Sequence, residues 1–383
     1  MSVSKILFCN RSHFKTFFSQ ELLALYRCWY CKKQLIRQRA IKNRSEYLMN
    51  STSLKKPAIP KELYAKTNFE LLLLSSGPLL CIMIGSTLAV LAYKHLFCSP
   101  NLLLVFASIP ILMVMPILSG LGMISMAYLA HDGGHGSLHK NFKISFLLGV
   151  LGSSIVPGYF GGTAFNCGHF SHHKYTNTSK DSLIVAFSGA KVMNHWRPIT
   201  LFLIGIGEFQ SHFMTTLKCF LRIEKVPNLS ADSSRNFAFI NFIFNLSFTL
   251  CWLLLLKIDV ATFILGFFVP WLWSIFIIGF SAFVEHGDTE GGFRNSWTFS
   301  NFFYRLLTSN ENYHLEHHLY ILVQRSKLHK VHKYLKSINF YTEHNCLVSD
   351  RFWKAISVPF TSEYPKPIDE DHDWMPSYND KAS

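Results

Sequence analysis

Four long apolar stretches constrain the fold of this 383-residue chain more than any other feature. They are Leu71–Tyr93, Leu102–Ala130, Phe237–Leu256 and Val260–Val284. A helix needs about 20 mostly apolar residues to cross the hydrocarbon core of a bilayer, and each stretch meets that length. Only 16% of the residues are charged, against roughly 25% in soluble domains. The sequence therefore predicts an all-α, polytopic membrane protein with four transmembrane helices.

Two further stretches are apolar but poorly suited to cross a bilayer. Ser145–Phe165 is rich in glycine. Ile199–Thr215 contains Glu208 and His212, and ionisable side chains are costly at the centre of a bilayer. We interpret both stretches as re-entrant or interfacial segments.

The loops predict the orientation of the spans. The loop at His95–Asn101 and the turn around Lys257 and Asp259 are short and nearly uncharged, whereas the longer connections carry most of the Lys and Arg. By the positive-inside rule, both termini and the long central segment lie in the cytoplasm. We predict two transmembrane hairpins and a cytoplasmic helical cap. The predicted divisions are a basic N-terminal tail at 1–68, a membrane domain at 69–340 and a C-terminal tail at 341–383.

The positive charge of the chain is concentrated near its N-terminus. The formal net charge is +14, and Met1–Tyr64 contains 13 Lys or Arg against 3 Asp or Glu. We interpret this stretch as a tail held at anionic lipid headgroups; a transit peptide and a translation start at Met49 stay open alternatives. A nucleic-acid-binding protein would carry such charge on a folded surface, so we predict no nucleic-acid partner. The isolated Cys28 and Cys31 pair is weak evidence for a zinc or redox site.

Half of the 18 histidines fall into four short groups. The groups are HDGGH with His131 and His135, HFSHH with His169, His172 and His173, FVEHG with His286, and HLEHH with His314, His317 and His318. Histidines three or four positions apart lie on one face of a helix, so their imidazoles can converge on a metal. We interpret HFSHH and HLEHH each as an i, i+3 pair plus an adjacent ring for a second metal. Nine ligands exceed the needs of one ion, and the four-span arrangement puts all nine on one side.

The remaining histidines receive simpler interpretations. His139 extends the first group, but its spacing does not support a ligand role. His212 is interpreted as a polar residue that fills space in an apolar segment. His329 and His332 belong to RSKLHKVHKYLK, a basic amphipathic stretch that we expect to lie along the lipid headgroups.

The histidine groups and their flanks resemble the membrane fatty acid desaturase superfamily. The matching segments are HDGGHGSLH, HHKYTNTSKD, NENYHLEHHLY and the extra histidine of SAFVEHG, and the resemblance covers about Leu71 to Leu335. It implies that the nine grouped histidines bind two irons, which activate O₂ and remove hydrogen from an unactivated pair of carbons. Zinc has no redox chemistry and could not do so. No separate catalytic acid or base is then needed, and the substrate would enter a narrow apolar tunnel.

The acidic residues near the histidine groups are few. We interpret Asp132, Asp181, Glu285 and Glu316 as groups that orient the imidazoles by accepting hydrogen bonds from their N–H groups. The chain has no HPGG-type cytochrome b5 motif, so the resemblance implies an external electron donor of cytochrome b5 or ferredoxin type. The third group begins with His314, where front-end desaturases have glutamine, so the chain looks less like that branch.

Three functions remain open from the sequence. The leading one is desaturation of an acyl lipid or an acyl thioester. A hydroxylase or ketolase of the same superfamily, acting on a carotenoid, sterol or sphingoid base, would use the same ligands. A histidine-rich metal transporter is a remote alternative, because transporters place their ligands near the bilayer midplane and these histidines follow the spans. We expect the endoplasmic reticulum if the host is eukaryotic and the inner membrane if it is bacterial.

Overall fold

The computed structural model describes residues 56–98, 101–181, 196–227, 229–308 and 310–362. The basic stretch through residue 55, with Cys28, Cys31 and Met49, and the acidic residues beyond 362 lie outside the described residues. The predictions for those two stretches therefore stay predictions.

Helices make up most of the described chain. The helices that contain the apolar stretches are α1 (Asn68–Cys98), α2 (Leu102–Gly134), α3 (Phe142–Ser153), α4 (Gly161–Tyr175), α5 (Arg197–Phe220), α6 (Ala231–Ile258) and α7 (Val260–His286). The C-terminal region contains α8 (Phe302–Thr308), α9 (His314–Leu319), α10 (Leu328–Ser337), α11 (Phe340–Glu343) and α12 (Phe352–Thr361). Two short strands, β1 (Thr298–Phe299) and β2 (Val348–Ser349), pair in parallel.

Helices α1, α2, α6 and α7 are long and apolar enough to cross a membrane. Each contains one of the four predicted spans, so the prediction of four apolar spanning helices is confirmed. Their outward faces carry large apolar side chains such as Leu103, which is 76% exposed, as expected for contact with lipid. Helix α2 continues past Ala130 to Gly134 and so takes His131 into its last turn. The pairing into two hairpins and the sidedness of the helices stay predictions.

The glycine-rich stretch Ser145–Phe165 is broken into two helices. Helix α3 has 12 residues, about 18 Å at 1.5 Å per residue, which is too short to cross the bilayer core. The chain turns after it, and α4 packs back against α3, with Gly162 beside Val150. The turn is held by Asn245 of α6, which accepts a hydrogen bond from the Gly158 N–H at 3.0 Å. The interpretation of this stretch as re-entrant or interfacial stays a prediction.

Helix α5 contains the second ambiguous stretch and crosses α7 at very close range. A methyl group added to Gly205 would lie 1.9 Å from the Ile275 carbonyl oxygen, and one added to Gly279 would lie 1.9 Å from the Leu201 carbonyl oxygen. Small residues permit such close approach of two helices within a membrane. The crossing holds α7 firmly, and α7 ends at a grouped histidine, His286.

Helix α10 directs its apolar face into the protein. Leu328, Val331, His332 and Leu335 are buried on that face, and the His332 ring packs 5.0 Å from the Tyr341 ring. The interpretation of this stretch as a helix lying on lipid headgroups is therefore wrong, because its apolar face is already covered by the protein. Further along the chain, α12 packs on the end of α7, with Val358 beside Gly287.

Candidate metal centre

All nine grouped histidines are buried and collect in one region. In each of two sets, one ring nitrogen per histidine lies within 4.8 Å of the others. The five-histidine group is His131, His135, His169, His173 and His317, and the four-histidine group is His172, His286, His314 and His318. The two groups adjoin, since the ring centroids of His173 and His318 are 4.4 Å apart.

Helix ends bring these side chains together. His131 lies in the last turn of α2, and the backbone N–H of His135 donates to the His131 carbonyl at 3.1 Å, which keeps both rings on one side. Between them, Gly133 faces α3 so closely that an added methyl group would lie 2.7 Å from the Ser145 carbonyl oxygen. The first glycine of HDGGH, Gly133, is thus required where α2 and α3 meet.

The two HxxHH segments are used differently from the expected pattern. His169 and His173 belong to the five-histidine group and His172 to the four-histidine group, while His314 and His318 share a group that excludes His317. The predicted i, i+3 pairing is therefore wrong, and the pairs are i, i+4. The physical reason is helical: four residues advance about 40° beyond a full turn, whereas three fall about 60° short.

The distances between ring nitrogens suit a metal site. The Nε2 atoms of His169 and His173 are 2.8 Å apart, and those of His286 and His314 are 3.0 Å apart. Neighbouring nitrogens bonded to one metal at about 2.1 Å would be separated by about 3 Å at right angles. Both ring nitrogens of His135 and the Nε2 of His172 are buried without a hydrogen-bond partner among the described residues. Buried polar atoms normally have partners, so the Nε2 of His172 and one of the two His135 nitrogens fit a metal.

Burial also favours the protonation state that a metal needs. It lowers the pKa of His135 to about 3. The pKa values of five further histidines lie well below 6.5, first through burial and then through neighbouring histidines: His169, His173, His314, His317 and His318. Neutral imidazoles can bind Zn, Cu, Ni or Fe.

The four-histidine group has supporting contacts on the ring nitrogens that face away from it. The Nδ1 of His172 lies 3.0 Å from both oxygens of Asp181, and the Nδ1 of His286 lies 3.0 Å from the Asn295 carbonyl oxygen. Contacts of this kind place the proton on Nδ1 and leave Nε2 available for a metal. Although burial opposes ionisation of Asp181, His172 and the Asn177 N–H hold the pKa of this carboxyl below its ordinary value.

A buried ionic cluster supports the five-histidine group. The Nδ1 of His131 lies 3.3 Å from Asp132 Oδ1, and Arg325 lies 3.1 Å from Asp132 Oδ2. The same guanidinium donates to Glu311 at 3.0 Å, and Glu311 Oε1 lies 3.8 Å from His131 Nδ1. Arg325 is only 2% exposed. A buried cation shared by two carboxylates holds both in place behind His131.

The two other predicted acids occupy different positions. Glu285 Oε2 lies 3.6 Å from His314 Nε2, on the side of the ring that faces the four-histidine group. Glu316 accepts from His332 Nδ1 at 2.6 Å and from the hydroxyls of Thr298 and Tyr341. These hydrogen bonds of Glu316 join α9 to β1, α10 and α11.

Several supporting residues were missed from the sequence. Glu311 stands five positions before Glu316 in NENYHLEHH. An acid this close to a histidine group could have been predicted to support the site. Arg325 and Asn295 gave no local signal, because their contacts depend on tertiary packing. His139 and His212 lie outside both groups; His212 Nε2 instead lies 3.4 Å from Glu208 Oε2.

One family match covers the whole candidate metal centre. Residues 100–352 match the family described as fatty acid desaturase, which covers most of the chain and includes both histidine groups. The protein belongs to the fatty acid desaturase family. Membership implies an oxidoreductase, and the four apolar helices are consistent with an integral membrane protein that acts on lipid. A comparison with curated protein sequences gave no match.

Proposed function

We propose that the protein is an O₂-dependent di-iron desaturase that introduces a double bond into the alkyl chain of an acyl lipid or acyl thioester. The observation that carries this proposal is the convergence of nine histidines from four segments into two adjoining groups. The five-histidine group would hold one iron and the four-histidine group the other. Iron is favoured over zinc because the family's reaction is a redox reaction, which zinc cannot perform.

The chain's own residues have three tasks at this centre. Asp181 and the Asn295 carbonyl keep the protons of His172 and His286 on Nδ1, while Asp132 and Arg325 support His131. Burial of all nine rings excludes water, which protects a reactive site from side reactions. When bound, the two irons would supply the activation of O₂ that removal of hydrogen from a methylene requires.

An apolar groove supports an alkyl substrate. It has a volume of about 470 Å³ and lies among α1, α2, α3 and α6, with Leu129, Leu138, Leu148 and Phe248 in its walls. Leu129 and Leu138 flank the HDGGH segment in the sequence, so the groove lies near the first histidines. We propose that it admits the alkyl chain.

Sidedness and electron supply complete the proposal. We place both termini and all nine histidines on the cytoplasmic side, because the positive-inside rule favours it. Desaturation consumes one O₂, two electrons and two protons, converts the CH₂–CH₂ unit into CH=CH and releases two waters. The electrons would come from a separate carrier of cytochrome b5 or ferredoxin type.

Lipid analysis tests the reaction. The chain would be expressed in a host that lacks desaturases and contains a compatible reductase, beside a His172→Ala/His173→Ala variant. Fatty acids, sphingoid bases and added carotenoids would be analysed by chromatography with mass spectrometry. We expect a product lighter by two hydrogens that requires O₂ and is absent from the variant.

Other outcomes would change the assignment. A product heavier by one oxygen would make the protein a hydroxylase, which consumes the same two electrons and could use the same nine histidines. Protein that binds no iron and forms no product would refute the metal-site proposal itself.

A further inference from the structure

A second cavity lies in the C-terminal region, away from the apolar groove. It is an open cleft of about 710 Å³ between the end of α10, α11, β2 and the start of α12. Lys336, Arg351 and Lys354 line it and are exposed, with Asp350 as the one acid among the lining residues. The rim therefore carries more positive than negative charge.

The floor of the cleft is connected to the third histidine segment. His332 and Tyr341 line the cleft, and both bind the buried carboxylate of Glu316, His332 through Nδ1 at 2.6 Å and Tyr341 through its hydroxyl. Glu316 lies within α9 between His314 and His317. Hydrogen bonds thus join the cleft to Glu316, whose helix carries three of the grouped histidines.

A second connection leads to the end of α7. Trp297 also lines the cleft, and the Lys354 ammonium nitrogen lies over its ring, 5.4 Å from the ring centroid. Its backbone N–H donates to the Glu285 carbonyl at 2.9 Å, and its indole N–H donates to the Gly287 carbonyl at 2.7 Å. These two residues flank His286, so this connection and the hydrogen bonds to Glu316 both reach segments that supply the four-histidine group.

We propose that this cleft docks an acidic one-electron carrier protein, which delivers electrons to the metal of the four-histidine group. This inference rests on the proposed function, whose reaction requires two electrons for each O₂. Electron-transfer complexes are small and transient, and complementary charge mainly increases their rate of association. The positively charged rim of the cleft complements an acidic carrier. The floor of the cleft contacts segments that supply the four-histidine group.

The surroundings favour a protein over a small phosphate-bearing ligand. Lys330 and Lys333 are also exposed on α10, so the positive surface extends beyond the cleft over an area suited to a protein. The buried carboxylate of Glu316 lies behind the floor, which disfavours a phosphate deep inside the cleft.

Stopped-flow oxidation of a reduced carrier tests the docking. The full-length, iron-loaded protein in nanodiscs would be mixed with the reduced haem domain of cytochrome b5 or with reduced plant-type ferredoxin. The cleft variant is Lys336→Glu/Arg351→Glu/Lys354→Glu. The control variant makes the same charge change at three exposed lysines outside the cleft, Lys140, Lys143 and Lys225. Product formation with dithionite as reductant measures the chemistry without docking.

With at least one carrier at low salt, we expect the cleft variant to lose about 10-fold or more of the second-order rate constant, within the range of electrostatic steering. It should also lose most of the salt dependence, while the control variant stays within about twofold of the wild type. Dithionite should give the same product yield with all three proteins.

Four results would overturn the docking proposal. The first two are an equal loss of the carrier-oxidation rate constant in the cleft and control variants, and no loss of that rate constant in the cleft variant. The third is a wild type that forms product with dithionite but oxidises neither carrier. The fourth is a cleft variant with a raised KM for a coenzyme A thioester and an unchanged rate of carrier oxidation. The last result would assign the cleft to a phosphate-bearing head group. An iron-loaded wild type that forms no product with dithionite and O₂ would instead refute the proposed function.

Discussion

Replacement of Asp181 by Asn is expected to weaken iron binding at the four-histidine group. Asp181 is fully buried, and its carboxylate accepts from His172 Nδ1 at 3.0 Å and from the Asn177 N–H at 2.8 Å. An amide of the same size has only one oxygen. If that oxygen faces Asn177, the NH₂ group faces His172 and favours the tautomer protonated on Nε2, which cannot bind a metal. If the amide oxygen faces His172 instead, the new NH₂ group meets the backbone N–H of Asn177, and two donors then face each other without an acceptor.

The size of this effect follows from the lost acceptor. A buried donor left unsatisfied costs about 1–3 kcal/mol, and loss of such a supporting contact weakens metal binding about 10- to 100-fold. That factor corresponds to about 1.4–2.8 kcal/mol, so the two figures agree. We therefore expect the variant to lose iron at a chelator concentration about 10- to 100-fold lower than the wild type.

Iron per protein, measured by mass spectrometry after dialysis against graded chelator, checks this expectation. Glu224→Gln is the matched control, because it makes the same chemical change in a carboxylate paired with Lys218 at the surface. Asp181→Asn protein that retains iron and activity as firmly as the wild type would refute the tautomer argument.

Three further predictions concern stability. Because burial holds the pKa of His135 near 3, the unfolded chain binds more protons than the folded chain between about pH 3 and 6.5, so the iron-free protein should lose stability as the pH falls below about 6.5. Unfolding temperatures at pH 7.5 and 5.5 check this, and an unchanged midpoint would contradict it. Gly279→Leu should prevent folding or lower the unfolding temperature strongly, because even a methyl group would lie 1.9 Å from the Leu201 carbonyl oxygen; normal yield and melting would contradict it. Arg325→Met leaves two buried carboxylates without their cation, so a loss of about 3–5 kcal/mol is expected, and chemical denaturation in detergent measures it; a change under about 1 kcal/mol would show that the ion pairs add little.

The membrane helices were predictable because a bilayer imposes a minimum length of apolar sequence, which local composition reveals. Leu71–Tyr93 and its three counterparts each lie inside one helix of the structure. The helix ends were less predictable. Helix α2 continues to Gly134 and stops where Gly136 adopts a left-handed conformation and the Ser137 N–H donates to the Asp132 carbonyl. Such a glycine turn ends a helix for reasons that hydropathy does not register.

Tertiary contacts between distant segments were not predictable from the sequence. Arg325 is far from Asp132 along the chain, and no local pattern indicates that they meet. The apolar face of α10 looked like a membrane-binding face, since a periodic pattern shows that a face is buried but not what covers it. In the structure that face includes His332, whose Nδ1 binds Glu316.

The assignment of neighbouring histidines to different groups leads to a last prediction. His172 belongs to a group of four and His173 to a group of five. Removal of one ligand from four should weaken metal binding more than removal of one from five, so His172→Ala should lose more iron than His173→Ala. Samples loaded with ⁵⁷Fe and studied by Mössbauer spectroscopy should lose different signals in the two variants, and His139→Ala, which alters a histidine outside both groups, should keep both. If the two variants lost the same signal to the same extent, His172 and His173 would bind one metal, and the division into two groups would be wrong.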